Sequence, residues 1–84
     1  MTEVLVFNGG AELYGYAESQ GGKLYLYIHG KTLAEAKAVL NDPEQTRKIT
    51  SRRNDGTHVY KSYTRAAEIR EVSGGFVTAT MEKP

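Results

Sequence analysis

Two histidines, His29 and His58, are the residues best suited to acid–base or metal chemistry near neutral pH. Each falls in a strand-like segment without a neighbouring His, Cys or Asp at ligand spacing. A zinc site needs three or four donors, and no dense cluster of them exists, so both histidines read as half-exposed structural residues. Nucleophilic catalysis needs an activated Ser, Thr or Cys. Cysteine is absent, and Ser19, Ser51, Ser62 and Ser73 fall in turns or exposed strand positions without an elbow motif. Eight glutamates are present, but no spacing pairs two of them. The glycine pairs Gly9-Gly10, Gly21-Gly22 and Gly74-Gly75 sit in hairpin-like turns. None lies between a strand and a helix N-terminus, as a phosphate loop requires. The expectation is therefore no catalytic residue, no bound metal and no cofactor.

The six tyrosines are the other chemically suggestive set. Alternation places Tyr14, Tyr16, Tyr25 and Tyr27 on one face of a hairpin, with Tyr60 and Tyr63 elsewhere. Three readings fit such a face. Cross-strand tyrosine pairs stabilise a sheet. The same side chains favour protein interfaces, because each gives a large contact area at little entropic cost. With nearby cations they can also stack single-stranded bases or sugars. The cations are concentrated elsewhere in the sequence. Residues 1–46 hold three basic against six acidic residues, whereas residues 47–70 hold seven basic against two acidic. Arg47, Lys48, Arg52 and Arg53 form the candidate basic patch. Such a bipolar chain can pack against copies of itself or dock on an acidic surface, or the charges can simply solvate strand faces and guard edges.

The elements that must position these residues follow from the periodicity. Residues 3–7 read as a strand ending at Asn8-Gly9-Gly10. Residues 11–18 alternate, with Leu13, Gly15 and Ala17 opposite Tyr14, Tyr16 and Glu18. Residues 23–29 alternate again, with Leu24, Leu26 and Ile28 opposite Tyr25, Tyr27 and His29. A glycine turn between the two runs predicts a β-hairpin with one apolar and one tyrosine face. Gly15 between tyrosines marks a bend or a close backbone approach.

Thr32 and Glu35 match a capping box, and Leu33, Ala36, Val39 and Leu40 form one helical stripe. Asp42-Pro43 is expected to end that helix. About nine residues are marginal alone, so the helix must pack on a sheet. Residues 46–52 and 57–64 are β-prone around the Asn54-Asp55-Gly56 turn. Residues 66–72 and 76–81 are separated by Ser73-Gly74-Gly75. The sum is one α+β domain spanning residues 1–84: an antiparallel sheet of five to six short strands with one helix on one face.

Size and composition bound the rest. At 84 residues the chain buries only about 60–65% of its unfolded surface. Without cysteine, no disulfide supports the core. A net charge of +1 gives no general attraction to nucleic acid or anionic membrane. No apolar run approaches a membrane span, and the N-terminus lacks the features of a signal peptide. Synthesis in a cytoplasm is expected.

The order of features also resembles a known family. The segment Thr32–Thr50, with Leu33, Leu40, Asp42 and Ile49, leads to the Asp55-Gly56 turn, His58 and the Tyr63-Thr64 pair, and the chain ends at Met81-Glu82-Lys83-Pro84. This pattern is similar to small proteins encoded in the tail and structural gene region of phages and prophages of Gram-positive bacteria. The resemblance spans essentially the whole chain and brings no catalytic residues with it. Members often continue into a Glu-rich, coiled-coil-like tail. Its absence here implies a shorter member or an excised N-terminal domain.

The resemblance implies a non-enzymatic structural or assembly module in the host cytoplasm or the virion. It would act through strand edges and tyrosines on protein partners, either itself as a homo-oligomer or phage structural proteins. The alternative from another class is a small single-stranded nucleic-acid binder using Tyr25 and Tyr27 with the four basic residues. A further alternative is an early-expressed regulator that inhibits a bacterial enzyme.

Overall fold

The structure is a computed structural model that describes residues 3–30, 32–63, 65–72 and 74–82. Thr64 and Ser73, which the sequence assigns to a strand end and a turn, lie outside the described residues. Among the described residues seven antiparallel strands form one sheet: β1 (Val4–Phe7), β2 (Glu12–Gln20), β3 (Lys23–His29), β4 (Lys48–Arg53), β5 (Gly56–Lys61), β6 (Arg65–Val72) and β7 (Phe76–Glu82). Their spatial order is β5-β4-β1-β2-β3-β7-β6. The α+β class and the antiparallel sheet agree with the expectation from the sequence. The counts differ, with seven strands and two short helices where five to six strands and one helix were expected. The polar segments β4 and β6 are complete strands because their neighbours β1 and β7 supply the backbone pairing that weak alternation does not signal.

The apolar alternation does what its period demands. Leu5 and Phe7 of β1, Leu13 and Ala17 of β2, and Leu24, Leu26 and Ile28 of β3 are buried, as are Ile49 of β4 and Val77, Ala79 and Met81 of β7. They form one cluster, which Ala36, Leu40 and Tyr63 complete.

Helix α1 (Leu33–Leu40) contributes Ala36 and Leu40 and lies against β6. Its N-cap is Thr32: the hydroxyl accepts the Glu35 N–H at 3.3 Å and donates to Glu35 Oε1 at 3.1 Å. The cap is therefore as the sequence predicts, except that the Glu35 carboxylate engages the Thr32 hydroxyl.

The Asp42-Pro43 break has a second consequence. Pro43 opens a four-residue helix α2 (Pro43–Thr46), with Asp42 Oδ1 accepting the Glu44 N–H at 3.0 Å. Proline suits the first helical position because its missing donor would have no partner there, and its φ is already helical. Thr46 thus belongs to a helix and not to β4. Gln45 of α2 ties down the β1–β2 turn: its carbonyl accepts the Asn8 N–H and its side-chain Oε1 accepts the Gly9 N–H.

Candidate functional site

The non-core face of the sheet carries the aromatic side chains. Residues directly opposite one another on neighbouring strands share a face. His29 is opposite Phe76, and Phe76 is opposite Val72. Gly15 is opposite Ile28, which brings the adjacent Tyr14 and His29 together across β2 and β3. The rings confirm this: Tyr14 stacks on His29 at 6.3 Å, and His29 meets Phe76 edge-on at 6.1 Å. On its other side Tyr14 is opposite Val4, and Val4 is opposite Arg52. A row Arg52–Val4–Tyr14–His29–Phe76–Val72 therefore crosses six strands. Tyr14, Phe76 and Val72 are 53%, 46% and 43% exposed, high for large apolar groups packed side by side.

A second row lies one pleat along. Tyr16 is opposite Tyr27, with stacked rings 4.9 Å apart, and Tyr27 is opposite Thr78. Tyr25 follows, between Glu18 and Thr80. The four tyrosines expected to share a face do share it. Of the four only Tyr14 is exposed, while Tyr16, Tyr25 and Tyr27 are half-buried.

Gly15 makes this face possible. Residues 12–14 of β2 pair with β1, the Gly15 N–H donates to Glu3 O at 3.1 Å just before β1 begins, and residues 16–20 pair with β3 alone. Beyond the start of β1, the free edge of β2 turns toward β4, and side chains take over where a strand would have paired. The Ser51 hydroxyl accepts the Ala17 N–H at 3.2 Å, and Ala17 O accepts from Arg53 Nη1 and from the Tyr60 hydroxyl, each at 3.4 Å. Ser51 is completely buried, a correction to its expected exposed position.

Burial pushes the Tyr60 pKa above its usual 10.0, with Arg53 pulling in the opposite direction. Arg53 also lies 5.6 Å from the Tyr16 ring centre, 3.8 Å from Glu18 and 3.2 Å from Asp55 Oδ1. That last contact is ionic only, since Arg53 Nε has no hydrogen-bond partner. Asp55 also stands beside His58, with Nε2 3.5 Å away. The sequence reading missed this companion because it lies across the tight turn.

The four basic residues have different surroundings. Arg47, just after α2, pairs with Glu44 of α2 at 2.8 Å. Arg53 is committed to Ala17, Glu18 and Asp55. Lys48 and Arg52 are exposed on the outer face of β4. His29 and Phe76 join the tyrosines in the aromatic row, and the alternation of β3 and β7 carries a signal for both. Their adjacency is the part that sequence reasoning missed, since no local pattern says that β7 returns beside β3.

Among the described residues, no three of His, Asp and Glu gather closely enough to hold a metal. No helix among them is long and apolar enough to cross a membrane. The chain matches no protein-family model, no curated protein and no solved structure.

Proposed function

We propose that this chain is a non-enzymatic assembly module, phage-derived as the resemblance implies, whose work is protein–protein contact on the outer sheet face. The observation that carries the reading is the exposed row Tyr14–His29–Phe76–Val72. Aromatics held rigidly on a sheet lose little entropy on contact and are typical of interface centres. Glu12, two residues from Tyr14 on β2, and Arg70, two residues from Val72 on β6, are exposed and flank the row with polar groups. A second copy is the first partner, and a neighbouring phage structural protein is the other. Light scattering on the purified chain is expected to give an oligomer, and Tyr14→Ala with Phe76→Ala to give a folded monomer. A strictly monomeric chain that also captures none of the structural proteins encoded beside it overturns the reading.

One observation favours a second reading. Lys48 and Arg52 share the outer face with the tyrosines, as a single-stranded nucleic-acid platform requires. That reading requires salt-sensitive retardation of oligonucleotides, and no retardation at low salt removes it.

A further inference from the structure

The β4–β5 end of the sheet carries an unexplained arrangement of charge. Strand β5 ends the strand order, so one of its edges faces no other strand. Five of its six residues are exposed, and Tyr60 is half-buried. Lys48 of β4 is directly opposite Lys61 of β5. Like charges in that position destabilise a sheet. Four residues along β4, Arg52 projects on the same face opposite Thr57. Among the described residues no acidic group lies within ion-pair distance of Lys48, Arg52 or Lys61. Between these cations lies Val59, 49% exposed and opposite Thr50. The outer face of this edge therefore reads cation, apolar, cation, at the two-residue period of a strand.

We infer that the free edge of β5 takes up an acidic, extended peptide segment as an eighth strand of the sheet. Main-chain hydrogen bonds to β5 would supply the pairing, and alternate side chains would set the specificity. The complementary segment carries an acidic residue toward Lys61, an apolar residue toward Val59 and a second acidic residue toward Thr57 and Arg52.

A second copy of this chain fits the edge poorly. An antiparallel pair of β5 strands centred on Val59 would set Lys61 of one copy opposite Thr57 of the other. Each of the two flanking rows would then run Lys48, Lys61, Thr57, Arg52 across the pair, three cations without an acid. The lysines that block self-pairing, a known protection of sheet edges, are the same ones that would select an acidic partner. This edge meets the aromatic row at Arg52, but Lys61, Val59 and the β5 backbone lie outside the Tyr14–Phe76 stretch, so Tyr14→Ala with Phe76→Ala is expected to leave peptide binding unchanged and either inference can fail without the other.

The test titrates the full chain with labelled synthetic peptides. The first, the alternating peptide, places glutamate, valine and glutamate at every second position with threonine between them, so that one face reads acid, apolar, acid. The second has the same composition in blocks, the third is the alternating peptide methylated on alternate backbone nitrogens, and the fourth is a single-stranded oligonucleotide of equal charge. The alternating peptide is expected to bind and to slow amide exchange in Gly56–Lys61. Its affinity is expected to fall about tenfold with Lys61→Glu, and further when Lys48→Glu is added. The block and methylated peptides are expected to bind at least about tenfold more weakly, because a strand needs both its period and its donors. Both variants change exposed side chains, and circular dichroism establishes that they remain folded. No binding of the alternating peptide overturns the inference. So does equal binding of the methylated peptide, tighter binding of the oligonucleotide, or amide protection confined to β2, β3 and β7.

Discussion

A methyl group on Gly15 would sit 1.9 Å from the Tyr27 carbonyl oxygen, on a backbone whose φ is +145°. Neither the clash nor the conformation can be relieved by moving a side chain, because the obstructing atoms belong to β3. Gly15→Ala is therefore expected to cost at least about 3 kcal/mol, read from urea unfolding. A loss under about 1 kcal/mol would show that β2 can bend elsewhere.

The neighbouring anchor makes a second residue-scale prediction. Replacing Tyr60 with Phe removes the hydroxyl donated to Ala17 O and is expected to cost about 1 kcal/mol at neutral pH. The pH dependence has a definite sign. Burial raises the Tyr60 pKa in the folded chain above the ordinary 10.0 that it regains on unfolding. The unfolded chain therefore loses this proton first, and stability falls as the pH rises past 10.0. Tyr60→Phe is expected to make that fall shallower in unfolding curves collected at successive alkaline pH values. An unchanged slope would mean that other groups account for it.

At the scale of elements, the local rules held where the deciding contacts are local. Thr32 caps α1 as its spacing with Glu35 predicts, so Thr32→Ala is expected to lower stability by about 1 kcal/mol. Thr32→Asn should retain most of it, and equal losses from the two changes would point to packing instead of capping. The α1 stripe was legible for the same reason: Ala36 and Leu40 are buried, and Leu33 and Val39 are partly so. The hairpin of β2 and β3 was legible because both runs alternate around a glycine turn.

Helix α2 was less legible, although its signal was present. Asp42-Pro43-Glu44 reads as an N-cap, a first-turn proline and a first-turn acid, but the same proline also ends α1, and that stop signal masks the start signal. Ser51 and Arg53 were opaque. Their roles depend on the bare edge of β2 at Ala17, and nothing in residues 48–53 records where that edge lies.

At the scale of the whole molecule, stability should be graded across the sheet. Strands β1, β2, β3 and β7 are interior to the strand order and carry most of the buried apolar side chains, whereas β5 is an exposed edge. Amides in the interior strands are expected to exchange only on global unfolding, and those of β5 through local opening at lower cost. Hydrogen exchange measured residue by residue checks this. Uniform protection across all strands would mean that the sheet opens as a single unit.

Amino-acid order alone determined which side of β2 and of β3 faces the core, because a side chain's face follows from a period of two and needs no knowledge of distant residues. It also determined where α1 begins and that the four hairpin tyrosines lie together. Only the tertiary structure decided the neighbours: β4 beside β1, β7 beside β3, and the meeting of Lys48 with Lys61 and of His29 with Phe76. The physical reason is that pairing between strands far apart in the chain rests on backbone hydrogen bonds, which nearly every residue can make. Periodicity orients a strand but cannot name the strand beside it.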